Sequence, residues 1–292
     1  MKVRKVIIPA AGFGTRFLPY TKAIPKEMLP IVDKPVIQFV VEEAVQAGIE
    51  DVILVTGANK RAIEDHFDHS YELEKRLIDF GKVDLIDQIR KPAELANFIY
   101  IRQKGPYGNA TPVKVARHLV GNEPFLVLWG DEFFLCKNKS RSQQAIEAYQ
   151  KYQSTILCGI VSTDPDDAKK YAFVDGEEVE PGVWKVNRLV EKPGIGNEPS
   201  KIAILSGDVL TPDIFPVLEN QKPGLGGEFY LHEAVSELAQ NGEPVYAIVL
   251  DHERYYDTGN KMSYMKTLTE MALMHPEIGE NYKQYLKGLN ID

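Results

Sequence analysis

The sequence predicts an α/β fold: a mixed, mostly parallel central sheet flanked by helices, with a β-hairpin insertion and helices at the C-terminus. Three observations carry this reading. A short apolar run ending in a Gly-rich turn opens the chain. A helix-periodic segment and a second apolar run follow within about 55 residues, and further strand-like runs recur as far as residue 250.

Val3 to Pro9 reads as a buried strand, and Ala10-Ala11-Gly12-Phe13-Gly14-Thr15 as the turn that ends it. A helix begins near Pro35, a residue suited to a first turn. Its apolar positions Ile37, Val40, Val41, Ala44 and Val45 follow helical spacing, and Gly48 stands where a C-terminal cap belongs. Asp51 to Gly57 is the next strand, so the first three elements form a βαβ unit with parallel strands. Apolar runs at 98–103, 125–130, 155–162 and 202–210 supply more buried strands. Residues 61–94, dense in both charge signs, read as solvated helices and a loop. Phe173 to Lys192, with Gly176, Pro181 and Gly182 between alternating segments, reads as the hairpin insertion. A helix from about Glu228 carries Leu231, Ala234, Val235, Leu238 and Ala239 on one face and ends at Gly242. Val245 to Leu250 is a strand; a helix follows from Asn260, stops before Pro276, and precedes a short terminal helix. With no repeat, low-complexity tract or linker, residues 1–292 read as one enlarged domain.

Hydrophobic residues at 44% and charged residues at 26% exclude collagen-like, disordered and coiled-coil classes. No run approaches the roughly 18 apolar residues of a membrane span, and the N-terminus lacks a signal-peptide pattern, so a cytoplasmic protein is expected. Cys136 and Cys158 are too few for a disulfide framework and read as small buried hydrophobes. A net charge of −8 disfavours nucleic acid and anionic membranes as partners, whereas small phosphorylated ligands need only a few local cations. Those cations exist: residues 1–34 hold seven against two acids, a net of +5, which leaves −13 on the remainder.

The Gly turn after the first strand lets backbone N–H groups approach an anion. Two familiar phosphate loops do not fit it. A Walker A loop needs Gly-Lys-Ser/Thr four residues beyond its first Gly, and the dinucleotide fingerprint wants Gly or Ala where Phe17 stands. Alone, such a turn reads as a tight strand exit. Ten residues past Arg16, however, comes Pro25-Lys26-Glu27-Met28-Leu29-Pro30, flanked by Lys22 and Lys34. A lysine fixed between prolines suits phosphate; an exposed basic loop is the plainer reading.

Together, A-A-G-F-G-T-R, P-K-E-M-L-P and V-D-K-P resemble the sugar-1-phosphate nucleotidylyltransferases, in detail the bacterial UTP:glucose-1-phosphate uridylyltransferases (UDP-glucose pyrophosphorylases). The resemblance continues in order through I-R-Q at 101–103, V-G-N-E-P-F at 120–125, G-D-E at 130–132, V-E-K-P at 190–193, G-E at 227–228 and D-T-G-N-K at 257–261. It implies a Rossmann-like nucleotidyltransferase fold that binds nucleotide through residues 1–130 and sugar phosphate through 131–258, with helices at 259–292. It also implies UTP and glucose 1-phosphate as substrates, UDP-glucose and pyrophosphate as products, Mg²⁺ as cofactor, and a homo-oligomer, dimer or tetramer.

Carried over residue by residue, the resemblance implies that Arg16 holds the departing phosphates, Lys26 the α-phosphate and Lys192 the sugar phosphate. Ala10, Ala11, Gly12, Gly14 and Thr15 would cradle the nucleotide, with Gln103 and Gly108 at the base. Glu191, Ala172 and Gly207 would face the sugar. Asp131 and Asp257 would hold Mg²⁺; alone, Asp131 reads equally as a helix cap, and for Asp257 the lesser alternative is a cap on the helix from Asn260.

Departures from the family pattern cluster. Asn109-Ala110-Thr111-Pro112 replaces a Gly-His-Ala type run, Tyr171-Ala172 replaces Tyr-Gly, and Glu228-Phe229-Tyr230-Leu231-His232 replaces Glu-Ile-Gln-Leu-Thr. Ser206-Gly207-Asp208 lacks the arginine or tyrosine often found after that glycine. They point to an altered sugar or an altered oligomer contact, and leave open dTTP or another sugar 1-phosphate as substrate. A nucleotide-sugar-binding regulatory protein without turnover and a dinucleotide-dependent oxidoreductase are the other readings; the retained charged set argues against the first and Phe17 against the second.

Overall fold

The computed structural model describes residues 1–289. Among them, ten strands form one sheet, numbered here in chain order: β1 (Lys5–Ala10), β2 (Asp51–Thr56), β3 (Asn97–Arg102), β4 (Phe125–Val127), β5 (Thr155–Val161), β6 (Ala172–Glu180), β7 (Val183–Glu191), β8 (Ile202–Ile204), β9 (Asp208–Leu210) and β10 (Val245–Val249). Their spatial order is β8-β6-β7-β10-β5-β9-β4-β1-β2-β3. Because β8 also pairs with β5, the strands β8, β6, β7, β10 and β5 close into a circuit of hydrogen-bonded neighbours.

The α/β class and the opening βαβ unit are as the sequence predicts, with Val6 opposite Val52 and Ile8 opposite Leu54 in parallel register. Two expectations need correction. The sheet is mixed but not mostly parallel: four strand pairings are parallel and six antiparallel among the described residues. The three pairings of the β4-β1-β2-β3 end are parallel and joined through helices; beyond it only β10–β5 is parallel, and the β6–β7 hairpin is the antiparallel pair joined by a tight turn. The predicted hairpin is present as β6–β7, but it is no insertion, since β7 pairs with β10 and carries the sheet onward.

Helix α1 (Val36–Gln46) starts from Pro35, whose fixed φ leads the chain in, and buries Val36, Ile37, Val40, Val41 and Ala44. Alternate residues of β1 face opposite sides: Val6 and Ile8 meet α1, while Ile7 meets α2 (Ala110–Val115) on the other face. The long α3 (Arg141–Tyr152) begins with a capping box, in which Ser140 and Gln143 satisfy each other's backbone N–H groups. Helix α4 (Leu231–Gln240) covers β7, and α5 (Lys261–Met274) and α6 (Gly279–Lys287) close the chain. Among the described residues no helix is long and apolar enough to cross a membrane.

A two-stranded ribbon, Glu132–Leu135 against Arg254–Asp257, stands outside the main sheet and pairs Glu132 with Asp257. Behind it lies the fully buried Arg141. Its guanidinium donates to both carboxylate oxygens of Glu43 on α1, at 3.1 and 2.9 Å, to Glu132 Oε1 at 3.3 Å and to Ser206 Oγ at 2.8 Å. One cation thus serves two carboxylates. Glu43 takes the bidentate pairing, and burial pushes the Glu132 carboxyl up to about 7 against the opposing pull of Arg141.

At the start of β1, Arg4 grips Glu123 with two hydrogen bonds of 2.7 and 3.0 Å, and Lys5 adds a third at 3.2 Å. These bonds tie β1 to the segment entering β4. The Arg4 hydrogen bond and the nearby Lys5 hold the Glu123 carboxyl down to about 2, against an ordinary 4.5. A depressed carboxyl stabilises the folded state fully above pH 4.5 and loses that contribution as pH falls through 2. Glu123→Gln should therefore lower the melting temperature by a few degrees at pH 7, and melting curves of variant and wild type should converge between pH 4.5 and 2.

Candidate active site

The C-terminal ends of β1, β2 and β3 open onto one cleft of about 820 Å³, where ligands of open α/β sheets collect. Ala11, Gly12 and Phe13 line it after β1, Gly57 and Ala58 after β2, and Gln103 after β3. Ala10 lies behind it, buried in the last register position of β1 opposite Thr56. Gly14 takes a left-handed conformation (φ 63°), accepts a hydrogen bond from Thr21 Oγ1, and turns the chain into the 3-10 turn Thr15–Phe17. The exposed rings of Phe13 and Tyr107 face each other at the cleft mouth, with centroids 5.8 Å apart.

Gly108 holds the far wall. Its φ is +133°, and a Cβ there would lie 2.2 Å from the Phe229 carbonyl oxygen. This close approach lets Phe229 N donate to Tyr107 O, Ala110 N to Phe229 O and Leu231 N to Asn109 Oδ1. The two departures from the family pattern at 109–112 and 228–232 are therefore one structural unit. Asn109 spends its side-chain oxygen on the first turn of α4.

Charged groups meet beside the cleft. Lys26 Nζ donates to Asp131 Oδ2 at 2.6 Å. Ribbon pairing brings Thr258 to Asp131, whose carbonyl accepts from both the Thr258 hydroxyl (2.6 Å) and amide (3.1 Å). Asp257 Oδ1 accepts from Gly259 N at 2.7 Å, and Arg16 Nη1 donates to Gly259 O at 3.2 Å. A Cβ built on Gly259 would lie 2.8 Å from Asp257 Oδ1, 3.5 Å from Arg16 Nη1 and 3.6 Å from Asp131 Oδ2, so all three side chains converge there.

Neither aspartate caps a helix. The strand Glu132–Leu135 follows Asp131, and α5 is capped by Asn260, which accepts from Ser263 N. Burial raises the Asp257 carboxyl; the Gly259 N–H opposes this and neighbouring Asp131 adds to it. Burial pulls the Lys26 amine down, but Asp131 and Glu27 outweigh it and the net shift is upward. Beneath lies a buried pair, Lys60 Nζ to Glu27 Oε2 at 2.7 Å.

A second cavity, of about 210 Å³, shares Asn109 and Trp129 with the cleft. Tyr171, Ala172, Glu191, Lys192, Tyr230 and His232 are among its other walls. Glu191 faces Ala172 across the β6–β7 pair. Lys192 then turns with φ +46°, donates its N–H to Tyr171 O, and places its Nζ 3.3 Å from Glu191 Oε1 and over the Tyr230 ring. Gly207, implied as a sugar contact, does not line this cavity. It lies against Arg141, where a Cβ would sit 2.5 Å from Cδ, and its N–H donates to Val127 O.

Sequence reasoning missed Tyr107, Trp129 and His232 as wall residues. Tyr107 carried a weak signal beside Gly108, and His232 belonged to the 228–232 departure from the family pattern, a signal that marked the segment without singling out the histidine.

A family model described as nucleotidyl transferase matches residues 5–272. The chain belongs to that family. It is 46% identical to a UTP--glucose-1-phosphate uridylyltransferase of Bacillus subtilis (strain 168), over 99% of this chain and 97% of the relative. The solved structure of a UTP-bound UGPase from Acinetobacter baumannii matches with a TM-score of 0.90 at 34% identity, covering 99% of this chain and all of that one. That of a UDP-glucose pyrophosphorylase complexed with UDP-glucose matches with a TM-score of 0.84 at 38% identity, over 94% of this chain and 100% of that one.

Gly108→Ala, which forces a Cβ into the Phe229 backbone, should destabilise the protein by about 3 kcal/mol in urea unfolding. Gly242→Ala, also at positive φ but with nothing within 4 Å, should cost only about 1 kcal/mol.

Proposed function

We propose that this chain transfers the uridylyl group of UTP to glucose 1-phosphate, giving UDP-glucose and pyrophosphate. The observation that carries the reading is the convergence of Arg16, Lys26, Asp131 and Asp257 beside a nucleotide-sized cleft that adjoins a sugar-sized one. The names of the full-length relatives support it.

An oxygen of the sugar phosphate attacks the α-phosphorus of UTP in line. The bond from that phosphorus to the bridging oxygen breaks, and the electron pair leaves on pyrophosphate. The nucleophile is already anionic, so no general base is required; positioning and charge neutralisation remain. Ala11 and Gly12 bracket the nucleoside, Gln103 offers donor and acceptor to the uracil edge, and Gly108 admits the base close to backbone. Gly14 and Thr15 turn the chain so that Arg16, with its fixed fork, meets the departing phosphates. Lys26 sits where charge grows on the α-phosphate. Lys192 pairs with the sugar phosphate, while Glu191 and the backbone of Ala172 meet the sugar.

Asp131 and Asp257 fit Mg²⁺: they offer oxygen ligands only, and the burial and like charge that raise Asp257 would be relieved by a cation. When bound, Mg²⁺ supplies further neutralisation of phosphate charge. Among the described residues no group of three or more His, Cys, Asp or Glu is placed to hold a metal, so substrate oxygens and water would complete the shell.

A second reading, the same chemistry on dTTP or another sugar 1-phosphate, is favoured by Ala172, which adds a methyl to the sugar cavity. Pyrophosphate release measured across nucleotides and sugar phosphates decides: UTP with glucose 1-phosphate should show the highest kcat/KM, and no release from that pair would refute the proposal. Lys26→Ala should lower kcat by about 10²–10³-fold. Asp131→Ala should lower turnover at least as far while the melting temperature moves by only a few degrees; normal turnover in that variant would remove Asp131 from the metal site.

A further inference from the structure

We propose that His232, held by Asp208, reads a ring hydroxyl of the sugar phosphate and thereby sets sugar preference, an inference that rests on the transfer reaction above. His232 lies in the first turn of α4 and lines the smaller cavity. Its Nε2 lies 3.3 Å from Asp208 Oδ2. Asp208, at the start of β9 and 1% exposed, uses its other oxygen to accept from Cys158 N at 3.0 Å. The carboxylate is therefore anchored from the sheet side, and it fixes the ring by taking the Nε2–H.

Burying a histidine and a carboxylate costs free energy unless their polar atoms are used. Here Nε2 and both Asp208 oxygens are used, whereas Nδ1 makes no protein hydrogen bond among the described residues and is not sealed from solvent, which leaves it for a ligand in the cavity that His232 lines. A sugar hydroxyl can donate to Nδ1 of a neutral ring or accept from a protonated one, so the nitrogen is useful in either state. Several other polar side chains of the cavity have protein partners. Glu132 accepts from Arg141 and from the Tyr255 hydroxyl at 2.6 Å, Asn109 accepts from Leu231 N, and Lys192 faces Glu191. Glu191 and His232 come from different elements, β7 and α4, so they reach a bound sugar from separate directions and suit separate hydroxyls. A site that hydrogen-bonds a hydroxyl rejects the analogue lacking it far more strongly than an apolar wall can.

The test is steady-state kinetics of wild type, His232→Phe and Asp208→Asn with UTP and either glucose 1-phosphate or its 2-, 3-, 4- and 6-deoxy analogues. Phenylalanine keeps the ring volume without its nitrogens. Both variants should raise KM for glucose 1-phosphate, His232→Phe by about 10–100-fold, with KM for UTP within twofold of wild type. One deoxy analogue that is penalised at least tenfold by the wild type should be used by His232→Phe as well as glucose 1-phosphate is. Unchanged KM for the sugar phosphate with undiminished discrimination on every analogue would overturn the proposal. So would a parallel rise in KM for UTP in both variants, which would mark the pair as structural. Failure of the underlying reading looks different: the wild type would then release no pyrophosphate from UTP with any of these sugar phosphates.

Discussion

Arg141 is the point on which the site's framework depends. A fully buried guanidinium is tolerable only when every direction of its fork is answered, and here the answers come from three separate elements: Glu43 on α1, Glu132 on the ribbon and Ser206 before β9. Removing one partner from such a buried arrangement costs about 3–5 kcal/mol, because the remaining charge is left uncompensated. Arg141 therefore fixes how the ribbon stands against the sheet. Since Glu132 follows Asp131 and pairs with Asp257, that placement decides where both aspartates point. Gly207 belongs to the same requirement, leaving the room that the arginine stem occupies.

Electrostatics divides along the same line. The net charge of −8 says little about the site, whereas the +5 of residues 1–34 supplies Arg16 and Lys26, the two cations that reach Asp131 and the Gly259 backbone. Acids from the remainder face them from the ribbon. The Lys26–Asp131 contact holds the lysine beside the cleft with its charge reinforced, from where, in the proposed reaction, it would pass to phosphate oxygens. Burial raises the Asp257 carboxyl, and in the proposed reaction a divalent cation would relieve it. The two cavities meet at Asn109 and Trp129, the shared wall across which the proposed reaction would bring nucleotide and sugar phosphate together.

Much of this was legible in the sequence where the signal is local. The βαβ opening, the strand-exit turn at Ala11–Gly14 and the proline-fixed Lys26 each follow from adjacent residues. The two aspartates and their meeting came only through the resemblance; the residues alone do not show it, because it depends on a ribbon joining segments more than a hundred positions apart. Glu132–Leu135 is too short to announce itself as a strand. Arg141 sits in a polar run and looks like a surface residue; only the approach of Glu43 and Glu132 makes it core. The capping box at Ser140–Gln143 was a signal present in the sequence that would have placed α3. Gly207 shows the limit of carrying roles over by position, since packing against Arg141 explains it without a sugar. His232 was visible only as part of the 228–232 departure, since helical periodicity marked its neighbours as core.

The central claim is that the sugar phosphate oxygen is the attacking atom at the α-phosphorus of UTP, with the charged cluster doing the neutralising. Glucose 1-phosphate carrying ¹⁸O in its phosphate, incubated with UTP, Mg²⁺ and the protein, tests this directly when the products are resolved by ³¹P NMR. The account predicts ¹⁸O in the bridge between the two phosphorus atoms of UDP-glucose and pyrophosphate free of label. Label in pyrophosphate, or a bridge oxygen drawn from UTP, would contradict it.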